Sequence, residues 1–91
     1  MYYYVYVLHS QKDDKLYTGF TDDLKRRLKE HNAGEEPSTR HRIPFELIYC
    51  EACIEKKDAI AREQYLKSGK GKKYLNGRLR QYLECFGKVR F

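Results

Sequence analysis

The sequence predicts an α+β domain: a small three-stranded mixed sheet with an N-terminal hairpin, flanked by three helices. Three observations lead to this fold class. Segments rich in Tyr, Val and Ile alternate as strands do, a polar turn separates the first two of them, and later segments carry apolar residues at helical spacing. A chain of 91 residues has room for one core, since a domain this small buries only about two-thirds of its unfolded surface. We therefore expect a single domain over residues 1–86 and a short basic tail over residues 87–91.

The elements follow from local patterns in chain order. They are strand Tyr2–His9, strand Leu16–Phe20, a helix from Thr21 or Asp22 to Ala33, strand Phe45–Cys53, helix Glu55–Lys67 and helix Lys72–Phe86. The first strand is apolar on both faces, which favours a central position in the sheet. Asp13 and Asp14 supply the hairpin turn, and Gly34 is the expected C-cap of the first helix. Residues 35–44 contain both prolines and predict an irregular loop, and the stretch from Ser68 to Gly71 separates the last two helices.

Charge and cysteine content narrow the partners and the compartment. The formal net charge is +6 and the pI is near 9.3, which favours an anionic partner, most commonly nucleic acid. The candidate contacts are basic side chains on the first helix, the loop and the last two helical segments: Arg26, Arg40, Arg42, Lys70, Lys72 and Lys73. Solvated surface charge is an equally open interpretation of them. Three cysteines predict reduced thiols, and no apolar run spans a bilayer, so we expect a cytoplasmic protein without a membrane partner.

A group of polar side chains converges on one edge of the predicted sheet. Tyr6 and Tyr17 lie on neighbouring antiparallel strands, and Arg27 and His31 are four residues apart on the helix that follows. A strand, a tight turn at Gly19 and a basic helix would aim hydroxyl, guanidinium and imidazole groups toward the same edge. Such an arrangement suits a phosphate. The alternative is a surface helix with solvated arginines.

Glu63 is an unusual carboxylate because it falls within the apolar stripe of the second predicted helix. A glutamate there can lie at the edge of the stripe with a solvated carboxylate. Beside two tyrosines, an arginine and a histidine it becomes a candidate single metal ligand. One carboxylate together with water and substrate phosphate is the usual protein environment of Mg²⁺.

These residues make the chain resemble the GIY-YIG nuclease superfamily, particularly its small single-domain bacterial members. Tyr17-Thr18-Gly19 stands where the family has Tyr-Ile-Gly, and Tyr4-Val5-Tyr6 stands where it has Gly-Ile-Tyr. The spacing from Tyr17 to Arg27 and His31 is that of the family, and residues 61–67 resemble the segment with its metal-binding glutamate. The resemblance covers nearly the whole chain. Tyr4 and Thr18 depart from the signature glycine and isoleucine.

The resemblance implies metal-dependent hydrolysis of a phosphodiester, with one Mg²⁺ or Mn²⁺ held by Glu63. Arg27 would neutralise charge on the phosphoryl oxygens, and His31 would shuttle a proton. Either Tyr6 or Tyr17 would activate water, and we expect Tyr6 to activate it and Tyr17 to position it. Asn76 stands for a late asparagine of the family and is a further candidate nucleic-acid contact. A tyrosine base near neutral pH requires its pKa to drop by about three units, or about 4 kcal/mol.

Three functions follow from this reasoning. The first is an endonuclease on DNA rather than RNA, structure-selective and linked to repair or processing. The second is a non-catalytic nucleic-acid-binding module, which would also explain the positive charge. The third is a homodimer or a nuclease subunit that requires a partner protein.

Overall fold

A computed structural model describes residues 1–87 and confirms the α+β class. The elements are β1 Tyr3–Ser10, β2 Leu16–Thr21, α1 Leu24–Asn32, a 3₁₀ turn Arg40–Arg42, β3 Phe45–Cys53, α2 Lys56–Lys67, α3 Gly69–Arg78 and α4 Arg80–Cys85. Within this range no helix is long and apolar enough to cross a membrane. The predicted tail lies outside the described residues except for Gly87.

The sheet is antiparallel throughout, so the expected mixed sheet is wrong. The strand order is β2-β1-β3, and β1 pairs antiparallel with both neighbours. The crossover through α1 makes β2 and β3 run the same way, but β1 lies between them and they never pair. The predicted central position of β1 is confirmed. Both β2 and β3 are therefore edge strands.

Central strand β1 is covered on both faces, as its apolar pattern predicts. On one face Tyr6, Leu8 and Phe45 pack with Leu24 and Leu28 of α1. On the other, Val5 and Val7 form a cluster with residues of α2 and α3, namely Ala59, Leu66 and Leu75. The helices thus form two layers, α1 in front of the sheet and α2 with α3 behind it.

Two helices, α3 and α4, stand where one last helix was predicted, which brings the α-helices of the described chain to four. The Ser68 hydroxyl caps α3 by accepting a hydrogen bond from the Gly71 backbone N–H at 3.2 Å, so only Ser68 interrupts the helices and Gly69 already belongs to α3. The predicted single helix from Lys72 to Phe86 is broken at Leu79, whose backbone leaves the helical region with φ −108° and ψ 20°. The apolar residues keep their helical spacing across Leu79, so the sequence pattern does not indicate the break.

Side chains fix the ends of the elements to one another. At the start of α1 the Asp23 carboxylate accepts from the Arg26 N–H at 3.0 Å, so Asp23 is the N-cap and the expected Thr21 or Asp22 is not. At its end the C-cap is Ala33 rather than the expected Gly34, which follows it in the left-handed region with φ +76°. Buried His9 links the hairpin turn to α4, with one ring nitrogen 3.0 Å from Asp14 Oδ1 and the other 2.7 Å from the Tyr82 hydroxyl.

The contact between α2 and α3 predicts opposite effects of alanine at two glycines of α3. A Cβ on Gly71 would overlap the backbone of Tyr65 and Leu66, whereas a Cβ on Gly77 would meet nothing within 4 Å. Gly71→Ala should lower the free energy of unfolding by about 1–3 kcal/mol through overpacking. Gly77→Ala should raise it by about 0.5–1 kcal/mol through better helix propensity. Urea denaturation measures both, and equal effects would contradict the close helix contact.

Candidate active site

The polar residues singled out in the sequence meet at the β2 edge of the sheet. Helix α1 lies on one side of this edge, and α2 contacts β1 and β2 from the other side. Tyr17 is half-buried on β2, and Tyr6 lies beside it on β1. A ligand at this edge strand would therefore meet side chains from both helical layers.

Gly19 makes room for the Tyr6 ring. Tyr6 pairs with Gly19 across the hairpin, and a Cβ built on Gly19 would lie 2.5 Å from the Tyr6 hydroxyl and 3.2 Å from the Tyr17 ring. Without a side chain at position 19, the Tyr6 ring lies across β2 and approaches Tyr17, with their ring centroids 6.4 Å apart. The predicted approach of the two tyrosines is thus present, and it depends on the glycine between them.

A line of three buried side chains runs inward from this edge. The Tyr6 hydroxyl is 2.9 Å from His31 Nε2, and His31 Nδ1 is 2.9 Å from the Thr39 hydroxyl. Tyr6, His31 and Thr39 are each no more than 2% exposed. His31 is therefore a core residue, although it lies on a helix with exposed basic side chains. With the proton on Nδ1, Nε2 accepts from Tyr6 and Nδ1 donates to Thr39.

Arg27 is held by two carboxylates. Its guanidinium donates to Glu36 Oε2 at 2.8 Å and to Glu30 Oε1 at 3.1 Å, and its side chain is 25% exposed. Burial alone would lower the pKa of Arg27, but hydrogen bonds with Glu36, Tyr6 and Glu30 raise it above its ordinary value. The guanidinium is therefore a fixed positive charge beside the Tyr6 hydroxyl.

The environment shifts the pKa values of Tyr6 and His31 in opposite directions. Burial raises the pKa of Tyr6 to about 12, against the opposing effect of Arg27. Burial and then the charge of Arg27 lower the pKa of His31 below its usual range. At neutral pH Tyr6 thus carries its proton and His31 is an uncharged acceptor. The residues of the site do not supply the drop in tyrosine pKa that a tyrosinate base would need.

Glu63 enters the site from α2. Its charge is near enough to contribute to the raised pKa of Tyr6, and its own carboxylate is 3.2 Å from Lys67 Nζ. No group of three or more His, Cys, Asp or Glu residues converges within residues 1–87. A single, 17% exposed carboxylate fits Mg²⁺ or Mn²⁺, which keep several waters and take further oxygens from a phosphate.

The predicted nucleic-acid contacts lie in three different settings. Arg26 joins Arg27 and Lys56 in lining a cleft of about 380 Å³ between α1 and the start of α2, where it also pairs with Asp22. Arg42 instead donates to Asp13 at 2.7 Å in the hairpin turn and lies over the Phe45 ring. The remaining candidates are exposed on the surface: Arg40, Lys70, Lys72, Lys73 and Asn76.

The GIY-YIG catalytic domain matches residues 2–76, which include both tyrosines, Gly19, Arg27, His31 and Glu63. The chain belongs to the GIY-YIG family. GIY-YIG domains are nuclease domains, so a nuclease-type function and a nucleic-acid substrate follow from membership.

Relatives of this GIY-YIG chain have similar length. A UPF0213 protein of Haloquadratum walsbyi is 44% identical over 68 residues, which are 74% of this chain and 75% of the relative. A UPF0213 protein of Natronomonas pharaonis is 48% identical over 67 residues, which are 72% of this chain and 78% of the relative. The solution NMR structure of a UPF0213 protein from Bacillus halodurans is 38% identical, covers 82% of each chain and has a TM-score of 0.51.

Sequence reasoning missed the residues that support the site from outside its motifs. Glu36 and Thr39 lie in the loop between α1 and β3, where no periodicity assigns a side chain to a face. Glu30 gave a usable signal, because acidic and basic residues three apart on a helix are neighbours. For Glu36 and Thr39 the sequence offers only a polar side chain near a predicted site. Such side chains are too common in loops to identify these two residues.

The His31–Thr39 hydrogen bond predicts that a hydroxyl at position 39 sets the ring tautomer. Thr39→Val keeps the shape and leaves Nδ1 without a buried partner, which should cost about 1–3 kcal/mol of unfolding free energy. Thr39→Ser keeps the hydroxyl and should restore most of it. Nitrogen chemical shifts of His31 report the tautomer directly. If Thr39→Val retained both the stability and the tautomer of Thr39→Ser, Thr39 would have no such role.

The lowered pKa of His31 also predicts a pH dependence of stability. Between about pH 6.5, where an unfolded histidine titrates, and the lower pKa of the folded state, the unfolded chain binds a proton that folded His31 does not. The free energy of unfolding should therefore fall as the pH drops through this window. Urea denaturation across it should show a smaller slope for His31→Gln than for the wild type, and equal slopes in the two proteins would contradict the prediction.

Proposed function

We propose that the protein is a metal-dependent endonuclease that hydrolyses phosphodiester bonds in DNA and selects its substrate by structure, with a role in repair or processing. The observation that carries this proposal is the hydrogen-bonded line Tyr6–His31–Thr39, whose Tyr6 hydroxyl lies within the influence of the charges of Arg27 and Glu63. It combines a proton path, a fixed positive charge and one metal-ligating carboxylate. Water needs these three components to attack a phosphodiester.

Water activation is proposed to use the Tyr6–His31 pair as a relay. As a water molecule gives a proton to the Tyr6 oxygen, the hydroxyl proton of Tyr6 moves to His31 Nε2. Tyr6 ends neutral and His31 ends as an imidazolium, while Thr39 accepts from Nδ1 throughout. The relay avoids a free tyrosinate, which the raised pKa of Tyr6 disfavours, and the lowered pKa of His31 keeps Nε2 unprotonated and able to accept at neutral pH.

Charge stabilisation is assigned to Arg27 and to the ion at Glu63. The guanidinium has a planar fork of donors that matches two phosphoryl oxygens. A divalent ion at Glu63 would neutralise the phosphate and the leaving oxygen. Tyr17 packs against the imidazole of His31, with ring centroids 5.2 Å apart, and its hydroxyl is proposed to position the attacking water.

A non-catalytic nucleic-acid-binding module is the second candidate, and one observation favours it. The Arg27 guanidinium is already paired with Glu30 and Glu36, so a phosphate has to compete with two carboxylates. A partner protein or a second copy of the chain that draws Glu36 away would convert such a module into an enzyme. Binding alone would weaken steeply with salt, because phosphate contacts release counterions.

Cleavage assays test the proposal through Glu63 and Tyr6. Single-stranded, duplex, flap and four-way-junction DNA and a matched RNA are incubated with Mg²⁺, Mn²⁺ or EDTA. Glu63→Gln should lose metal-dependent cleavage, and Tyr6→Phe should lower the rate by about 10²–10⁴-fold, the usual contribution of general acid–base catalysis. Glu55→Gln, which removes a carboxylate just before α2, should cleave like the wild type.

The outcome separates the two candidates. Metal-dependent cuts that vanish in Glu63→Gln and persist in Glu55→Gln establish the nuclease, and the preferred substrate names its class. Binding without cleavage in every lane, with both variants folded, would contradict catalysis by the chain alone and favour the binding module or a missing partner.

A further inference from the structure

Within residues 1–87, Lys67 is the one cation that the structure places on the carboxylate of Glu63. The two residues are one turn apart on α2, and Lys67 Nζ is 3.2 Å from Glu63 Oε2. The Glu63 side chain is 17% exposed, whereas that of Lys67 is 51% exposed. The carboxylate is therefore fixed by its surroundings, and the lysine is the partner that is free to turn away.

Lys67 also lines a cleft beside Glu63. The cleft has a volume of about 220 Å³ and is bounded by β2, the end of α2 and α3, through Leu16, Tyr17, Thr18, Leu66, Lys67 and Lys72. Two ammonium groups lie around an opening at the same sheet edge as Tyr17. A wall with two positive charges and no acidic residue is suited to a backbone phosphate.

We propose that Lys67 couples metal binding to nucleic-acid binding by exchanging partners. It neutralises Glu63 when no divalent cation is bound, and it pairs with a phosphate of the nucleic-acid strand in this cleft, together with Lys72, when Glu63 holds the cation. This inference rests on the proposed function, because it takes Glu63 as the metal ligand. It adds a subsite for a phosphate next to the scissile one.

The exchange follows from charge and from side-chain mechanics. An ammonium and a divalent cation on the same carboxylate repel each other strongly at contact distance. An exposed ion pair one turn apart on a helix is weak, and lysine has a flexible stem, so turning Lys67 toward the cleft costs little. Linkage then requires that each ligand strengthen the other, since each one removes a competitor for the other.

The test measures metal and DNA binding separately in a Tyr6→Phe background, in which cleavage is expected to be about 10²–10⁴-fold slower. Free Mn²⁺ is followed by electron paramagnetic resonance, and labelled oligonucleotide by fluorescence anisotropy. Lys67→Gln is compared with Lys57→Gln, which removes an exposed lysine from the first turn of the same helix. Circular dichroism confirms that each variant is folded.

Lys67→Gln should change the two affinities in opposite directions. Relative to Lys57→Gln, it should bind Mn²⁺ about fivefold more tightly without DNA, because a charge next to the ion is removed. With Mn²⁺ present it should bind DNA more weakly, and the slope of log affinity against log salt should decrease by about one. Removing any positive charge near both sites would shift the two affinities this way, so the deciding result is the coupling itself: Mn²⁺ should strengthen DNA binding clearly in Lys57→Gln and much less in Lys67→Gln.

Two results would overturn the inference, and they have different consequences for the proposed function. If Mn²⁺ binds through Glu63, as loss of binding in Glu63→Gln would show, but Lys67→Gln behaves like Lys57→Gln, the coupling is absent and the nuclease proposal stands. If Mn²⁺ binding does not depend on Glu63, the metal role of Glu63 fails and the coupling fails with it.

Discussion

The hydrogen bond between Tyr6 and His31 is the interaction on which the site and much of the front layer depend. Tyr6 is 2% exposed and His31 is fully buried, so each would leave a polar group unsatisfied without the other. The bond forms only because Gly19 lets the Tyr6 ring cross β2 and because α1 brings His31 to the same point. One contact thus joins the central strand, the edge strand and the first helix.

The loop between α1 and β3 acts as the second support of this contact. Thr39 holds the other nitrogen of His31, and Glu36 holds Arg27 at 2.8 Å. Asn32, at the end of α1, pairs with both backbone groups of Phe45 through its side-chain amide, which fixes where the loop rejoins the sheet. The segment is irregular in backbone but is tied to the core at several points, so it positions the catalytic candidates rather than merely linking two elements.

The parts of this architecture that depend on periodicity could be predicted, and the parts that depend on long-range pairing could not. The two apolar faces of β1 specified its central place, and the spacing of Tyr17, Arg27 and His31 specified their convergence. Antiparallel pairing of β3 with β1 was not visible, because side-chain alternation is the same for either direction. The break at Leu79 and the loop contacts of Thr39 and Glu36 depend on distant partners, and no local pattern encodes those.

The charged side chains assigned to the chemistry are all paired with other residues of the chain. Arg27 is paired with Glu30 and Glu36, and Glu63 with Lys67. Partly exposed ion pairs of this kind contribute about 0–1 kcal/mol each, so exchanging them for a phosphate and a divalent cation costs little stability. The buried Tyr6–His31–Thr39 line has no such freedom, because breaking it leaves polar groups without partners. The protein therefore combines a rigid proton path with ion pairs that can exchange partners. Binding of a phosphate and a divalent cation can rearrange the ion pairs without disturbing the buried Tyr6–His31–Thr39 line.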